Sequence, residues 1–132
     1  MKIVLFFFSL FVSFSAFSQL PDKASNFVQV HFENINITKI EFDDDEYEVK
    51  LDNGCELKFD IKGNWLEIES DFSPLPKSII DLLPKPVIEY IAKKYPRRAI
   101  MKIEKEGNNY EVELSNSVEL IFDKKGKFLR KD

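Results

Sequence analysis

Apolar and polar residues alternate along most of the chain, which is the pattern of half-buried β-strands. Tyr110-Glu111-Val112-Glu113-Leu114 is such a run, and residues 118–122 continue the pattern after a short polar turn. Clusters of Gly, Asn, Ser and Lys separate the runs, as turns do. In the second half this predicts four antiparallel strands, near residues 100–105, 110–114, 118–123 and 127–131. In the first half it predicts four more, near residues 37–42, 47–51, 55–60 and 64–69.

A different period precedes each set of strands and predicts one helix there. Val87, Ile88, Ile91 and Tyr95 recur at the spacing of one helical face, between Pro84 and Pro96. Proline suits a first helical turn and ends a helix before itself. The earlier helix spans about residues 22–33 and is less regular. Its apolar stripe consists of Ala24, Phe27, Val28 and Phe32, whereas Val30 falls off it.

The two halves align without a gap. Tyr47-Glu48-Val49 falls on Tyr110-Glu111-Val112, and the same shift of 63 positions aligns Phe59-Asp60 with Phe122-Asp123. The predicted fold class is therefore α+β, a tandem repeat of one helix and a four-stranded antiparallel meander. Because about sixty residues make a marginal core, the two sheets should be joined or packed together. We divide the chain into a signal peptide (1–18), a first repeat (19–69), a connecting short helix (70–83) and a second repeat (84–132).

The first eighteen residues have the pattern of a secretory signal. Lys2 precedes an apolar run over residues 3–17, and Ala16 and Ser18 are the small residues expected before cleavage at Gln19. The alternative is a membrane anchor, but as a helix the run would cover only about 22 Å of a roughly 30 Å hydrocarbon core. We expect a periplasmic or secreted protein with no stable membrane insertion after cleavage.

Charge and cysteine content exclude some functions. The formal net charge is −4, and removal of residues 1–18, with Lys2, makes it more negative. A mildly acidic protein is a poor candidate for binding nucleic-acid phosphates. Cys55 is the only cysteine, so no internal disulfide can form. We expect no cofactor.

Short sequence elements occur in one order through the connecting segment and the second half. They are Leu75-Pro76-Lys77-Ser78-Ile79-Ile80, Leu83-Pro84, Tyr90-Ile91, Tyr95-Pro96, Tyr110-Glu111-Val112-Glu113-Leu114, Glu119-Leu120 and Phe122-Asp123-Lys124-Lys125-Gly126. Their order and spacing resemble those of the PepSY-like proteins, small exported proteins common in Bacteroidetes whose fold is similar to that of β-lactamase-inhibitor proteins. The resemblance covers nearly all of residues 21–132. It implies a periplasmic or secreted protein of tandem helix-plus-sheet architecture, and little about activity. The first copy departs from the pattern, because His31-Phe32-Glu33-Asn34 replaces the Tyr-Pro helix ending.

The residues that could support catalysis or metal binding also have structural explanations. Cys55 and His31 could form a thiol–base pair, but the repeat aligns Cys55 with the inward position Val118 and His31 with Lys94. Residues 43–46 form an acidic run that could attract Ca²⁺, although a solvated hairpin turn explains it better. Lys93, Lys94, Arg97, Arg98 and Lys102 form a basic cluster near the end of the second helix. It either complements the helix dipole or contacts an acidic partner or a lipid headgroup.

Surface residues of the sheet are the candidate binding residues. Trp65 and Phe128 follow equivalent glycine turns and are each followed by leucine, so one member of each pair should lie off the main core. An outward Trp65 would be an interface anchor, whereas an inward one would be core. We predict partner binding by Trp65, Phe128 and the outward residues Glu48, Lys50, Glu111 and Glu113.

The sequence as a whole predicts an exported, non-enzymatic module that binds, and in one version inhibits, an unidentified protein. The alternative is an envelope-sensing or structural protein that binds a small ligand or self-associates. Self-association would pair the acidic segment 41–48 with the basic segment 93–102.

Overall fold

A computed structural model describes residues 20–132, and the predicted signal peptide 1–18 lies outside this range. The three helices of this range are α1 (Asp22–His31), α2 (Lys77–Ile80) and α3 (Lys85–Lys94). The strands of the first half are β1 (Ile37–Asp43), β2 (Glu46–Leu51), β3 (Cys55–Asp60) and β4 (Trp65–Ser70). Those of the second half are β5 (Ile100–Glu106), β6 (Asn109–Leu114), β7 (Glu119–Phe122) and β8 (Phe128–Lys131).

The eight strands form one antiparallel sheet in which spatial order follows chain order from β1 to β8. The two halves join where β4 pairs with β5, with Ile68 opposite Ile103. The α+β class is thereby confirmed, and of the two arrangements expected for the sheets, the joined one is found.

Helix α1 ends two residues earlier than predicted. Ala24 and Val28 are buried as expected, while Val30 is 71% exposed because it lies off their stripe. The Phe32 amide donates to the Val28 carbonyl at 2.8 Å, and the backbone of Phe32 then leaves the helical region. Tyr95 ends α3 with nearly the same dihedral angles and an equivalent bond. An aromatic residue at this position therefore ends both helices, and the proline after Tyr95 is not required.

Irregularities of the sheet recur at the same shift of 63 positions. Register shifts occur between Ile37 and Lys39 in β1 and between Ile100 and Lys102 in β5. Two more register shifts occur, one in β4 opposite Lys58 and Phe59 of β3, and one in β8 opposite Ile121 and Phe122 of β7. β-Bulges redirect side chains and bend strands, so both halves of the sheet are bent at equivalent places.

A single hydrophobic core lies between the sheet and the helices. Phe59 and Phe122 are fully buried at its two centres. Phe27 of α1 meets Phe59 edge-on with ring centroids 5.5 Å apart, and Tyr90 of α3 meets Phe122 with the same separation. The connecting segment contributes further buried residues, namely Leu75, Ile79 and Leu83. The core is thus continuous across both halves.

Candidate functional site

The helices pack against one face of the sheet, and the opposite face carries the charged side chains of the strands. Side chains alternate between the two faces of a strand, so the residues that pair with Glu48 and Lys50 across the sheet share their face. We call this charged side the open face. Its acidic members include Glu41, Glu48, Glu56, Glu67, Glu69, Glu104, Glu111, Glu113 and Glu119, and its basic members include Lys39, Lys50, Lys58, Lys102 and Arg130.

In the first half of the open face, acidic and basic side chains alternate. Glu48 lies opposite Lys58, and Lys50 lies opposite Glu56. The Lys50 ammonium is 3.6 Å from the Glu56 carboxylate, and that of Lys58 is 3.8 Å from Glu67. Opposite charges at cross-strand neighbours stabilise a sheet modestly, so in this half lysines offset part of the negative charge.

The second half lacks two of these lysines. The shift of 63 positions places Glu113 where the first half has Lys50, and Ile121 where it has Lys58. With two lysines gone, carboxylates gather around Lys102. We call this group the acidic patch, and its members are Glu67, Glu69, Glu104, Glu111, Glu113 and Glu119.

Lys102 holds the centre of the acidic patch. Its ammonium lies 3.7 Å from Glu67 and 3.7 Å from Glu104. Burial disfavours its charged form, but the surrounding glutamates outweigh burial and raise the pKa of Lys102. Lys58 also reaches Glu67, at 3.8 Å, and six carboxylates against these two lysines leave the patch negative. Lys102 therefore does not belong to the predicted basic cluster at the end of α3, because strand β5 carries it to the open face.

Glu111 is the most perturbed member of the patch. Burial, contact with Glu119 and Glu104, and the charges of those two carboxylates raise the pKa of Glu111 to about 8. Ile121 lies opposite Glu111, at the place where Lys58 accompanies Glu48 in the first half. Glu104, Glu106 and Glu111 bring one carboxylate oxygen each to within 4.8 Å of one another. A cation or a basic side chain would therefore reduce the repulsion among these carboxylates.

The structure divides the six predicted binding residues between the two faces. Glu48, Lys50, Glu111 and Glu113 lie on the open face, as their alternation indicated. The remaining patch residues, Glu67, Glu69, Glu104 and Glu119, were absent from the predicted set. The same alternation would have identified them, but their proximity depends on the pairing of β4 with β5.

Trp65 and Phe128 lie on the helix-covered face, contrary to their assignment as partner-binding residues. The register shift in β4 places Trp65 opposite the buried Phe59, and only 8% of Trp65 is exposed. Its ring lies 6.4 Å from that of Tyr110, and the Lys105 ammonium lies 4.2 Å from its centroid.

Phe128 is held in the same way in the second half. It lies opposite Phe122 and stacks on Tyr90, with ring centroids 4.6 Å apart. Leu129 is the outward member of that pair and is 45% exposed. The bulges thus turn both aromatic rings toward the core, and the inward alternative is the one found.

Cys55 and His31, which suggested a thiol–base pair, have structural surroundings, and so do Asp60 and Asp123 in the two equivalent turns. Cys55 is buried, and burial raises the pKa of its thiol. His31 Nδ1 lies 2.9 Å from Ser78 Oγ of α2, and burial lowers the pKa of its imidazole. Asp60 Oδ1 accepts the backbone amides of Lys62 and Asn64 at 2.9 Å each, which closes the turn before β4. Asp123 accepts two backbone amides in the equivalent turn.

A family model described as "Putative beta-lactamase-inhibitor-like, PepSY-like" matches residues 13–64 and matches again over residues 53–130. Fold and sequence therefore define a PepSY-like module with one continuous sheet. The chain belongs to the PepSY-like family, as its sequence elements indicated. No protein with a curated description matches the sequence.

Three solved structures from Bacteroides are similar over most of their length. A "putative calcium-regulated periplasmic protein" from Bacteroides thetaiotaomicron is 36% identical, with a TM-score of 0.78 over 88% of this chain and 92% of that one. A "putative periplasmic protein of unknown function" from Bacteroides vulgatus is 34% identical, with a TM-score of 0.78 over 87% and 93% of the two chains. A second "putative periplasmic protein" from that species is 34% identical, with a TM-score of 0.77 over 88% and 92%.

These similarities confirm the expected location, because the similar structures are those of periplasmic proteins. The protein is periplasmic or secreted. Within residues 20–132, every helix is too short or too polar to cross a lipid bilayer.

Proposed function

We propose that this protein is a non-enzymatic periplasmic module that binds another protein through the acidic patch, and that the partner presents a lysine- and arginine-rich surface. The observation that carries the proposal is the concentration of six glutamates around Lys102 on the open face. Complementary charge steers association and selects partners. The family description, beta-lactamase-inhibitor-like, supports binding to a protein and leaves open whether binding inhibits it.

We infer that the module arose as two tandem copies, approximately residues 19–69 and 84–132, joined by 70–83. The recurring bulges and helix endings support this division. In this view the first copy keeps lysines beside its glutamates, and it contributes Glu67 and Glu69 of β4 to the acidic patch. The second copy, in which Glu113 and Ile121 stand where the first has Lys50 and Lys58, carries the other four residues of the binding site.

Reversing two charges in the patch tests the proposed function. The double variant Glu111→Lys, Glu113→Lys should lose at least tenfold in affinity for the partner, because two attractive contacts become repulsive. Partners are captured from a periplasmic extract on the immobilised protein and quantified by mass spectrometry at low and high salt. A basic partner should also be released as salt screens the charges.

The matched control is Asp22→Lys, Glu89→Lys, which makes the same change of net charge on the exposed surface of α1 and α3. It should retain the partner. Equal loss in both variants would mean that only net charge matters, and undiminished capture by the patch variant would exclude the patch as the binding site. Trp65→Ala is a poorer test, because Trp65 is packed in the core and its loss perturbs the fold.

Calcium binding is a second candidate function. A similar protein at 36% identity is described as calcium-regulated, and Glu104, Glu106 and Glu111 provide oxygen ligands within 4.8 Å of one another. Calcium takes six to eight oxygen ligands, carboxylates and waters among them. The donor set therefore fits this ion, with bidentate carboxylates and water completing the shell.

The titration of Glu111 provides the test of this second function. Folding raises the pKa of Glu111 from an ordinary 4.5 to about 8, so the folded protein keeps a proton that the unfolded chain releases. The free energy of unfolding should therefore fall as pH rises from about 4.5 to about 8. Since the carboxyl is partly solvated, we expect a loss of about 1–2 kcal/mol rather than the full shift. At pH 8, millimolar Ca²⁺ should restore a similar amount by binding the ionised form.

Thermal unfolding of the wild type, Glu111→Gln and Glu48→Gln at pH 5 and pH 8, with and without Ca²⁺, measures both effects. Glu111→Gln should flatten the pH dependence and remove the response to calcium. Glu48 occupies the equivalent position in the first half, so Glu48→Gln should leave both nearly unchanged. A calcium response that survives in Glu111→Gln would exclude this cluster as the site.

A further inference from the structure

Two grooves related by the 63-residue shift lie between a helix and the start of a strand. The first, about 460 Å³, lies between α1 and β1 and is lined by Ser25, Val28, Gln29, Phe32, Glu33, Asn34, Ile35, Asn36 and Ile37. The second, about 310 Å³, lies between α3 and β5. Its lining includes the equivalent residues Ile88, Ile91, Ala92, Tyr95, Pro96, Arg98, Ala99 and Ile100.

The connecting segment forms one wall of the second groove. Pro74 and Ile80 line it, and Leu75 beside them is buried. The Leu75 amide donates to the Ile100 carbonyl at 3.0 Å. An extended apolar stretch followed by a helical turn therefore completes the wall of this kind of groove.

The first groove has no such wall within residues 20–132. The shift of 63 positions relates residues 74–80 to residues 11–17, which belong to the predicted signal peptide. In the sheet that residues 20–132 form, strand β1 is one of the two edges. Among the turn and loop backbone hydrogen bonds of the described residues, none reaches the Ile37 carbonyl, which is the equivalent of the Ile100 acceptor. An apolar groove and an edge acceptor therefore lie side by side.

A second copy of the chain is a poor occupant. If its β8 paired with this edge in the register that β4 adopts on β5, Lys131 would lie opposite Ile40, where Ile68 lies opposite Ile103. An inward-pointing lysine on an edge strand opposes such pairing.

The lining of the first groove indicates the chemistry of its occupant. Val28, Phe32, Ile35 and Ile37 supply an apolar floor. Glu33 is exposed on the rim, where the second groove has Pro96. A peptide with an apolar anchor beside a basic residue would satisfy both features.

We propose that the groove between α1 and β1 binds an extended peptide segment of another protein. An apolar residue of the peptide takes the place that Leu75 has beside the second groove and donates its amide to the Ile37 carbonyl, and a lysine or arginine lies beside Glu33. This site is separate from the acidic patch, so the two can be tested independently.

The probe is a synthetic peptide that copies residues 73–81, which contains Leu75 and Lys77. It is titrated into the isotope-labelled protein, expressed as the full chain and purified from the periplasm. We expect saturable amide shifts at Ile35 and Ile37 below 1 mM. Gln29→Trp fills the groove and should weaken binding at least tenfold. Asn26→Trp, on an exposed position of the same helix outside the groove, should change it less than twofold.

Three outcomes would overturn the proposal. The first is the absence of saturation up to 1 mM. The second is a set of shifts confined to Arg98 and Ile100, which would mean that the peptide displaces the connecting segment from the second groove instead. The third is equal binding by Gln29→Trp and Asn26→Trp. Binding that survives in Glu111→Lys, Glu113→Lys would separate this site from the acidic patch.

Discussion

Replacing Phe59 with alanine is expected to lower the free energy of unfolding by about 3–5 kcal/mol. The side chain is fully buried and meets Phe27 edge-on at 5.5 Å, so its loss removes both the burial of an aromatic ring and a favourable aromatic pair. Sheet and helix hold their positions around it, and the cavity cannot collapse completely. Urea unfolding followed by circular dichroism measures the change.

The repeat supplies a partner and a control for this measurement. Phe122→Ala should destabilise by a similar amount, because Phe122 has the same burial and the same edge-on contact, with Tyr90. Phe72 is 81% exposed, and Phe72→Ala should stay within about 0.5 kcal/mol of the wild type. Each variant should unfold in one transition because one core spans both halves. Separate transitions for the two halves would contradict this.

Hydrophobic periodicity was sufficient to predict the eight strands of residues 20–132. The alternation in residues 110–114 matches the observed β6, and the same period gave seven other strands within about two residues of their observed ends. The reason is that one face of each strand is buried beneath helices and the other is solvated. Side chains on the two faces must then differ in polarity at every step.

Local alternation could not predict which way Trp65 and Phe128 point. Each follows a glycine turn and precedes a bulge, and a bulge changes the face of a strand within one residue. Nothing in the residue types at 64–67 separates a bulged strand from a regular one. The repeat did show that Trp65 and Phe128 would behave alike, and they do.

The acidic patch was only partly predictable for a different reason. Glu111 and Glu113 were identified as outward residues from β6 alone. Glu67 and Glu104 become their neighbours only because β4 pairs with β5, which brings together residues from opposite sides of the connecting segment. Sequence comparison of the two halves could have supplied the missing signal, since the replacement of two lysines by Glu113 and Ile121 is visible without a structure.

The same comparison between halves separates the glycines that the other half replaces from those that both halves keep. Gly107 corresponds to Asp44 in the first half. Both residues have positive φ, so a side chain is tolerated at this position. Gly54 is the equivalent of Ser117, also at positive φ. Gly63 and Gly126 differ, because both halves keep glycine at φ close to +90° beside the first turn of a helix.

Gly63→Ala is therefore expected to destabilise the protein by about 2–3 kcal/mol. A backbone at φ +90° disfavours any residue with a Cβ, by about 1–2 kcal/mol. The new methyl group would also lie 2.9 Å from the backbone nitrogen of Ala24, which cannot move without shifting α1 away from the sheet. Thermal and urea unfolding measure the loss.

Gly107→Ala is the matched control. Its φ of +60° lies in the left-handed region, and no atom outside its immediate neighbours lies within 4 Å of the added methyl group. We expect about 1 kcal/mol of destabilisation, from backbone strain alone. If both variants lost the same amount, contact with α1 would contribute nothing, and the two glycines would be retained for backbone conformation only. A larger loss in Gly63→Ala would show that contact with the helix also matters. In each half a helix packs closely against the turn before the last strand, and this contact would then fix the position of the helix on the sheet.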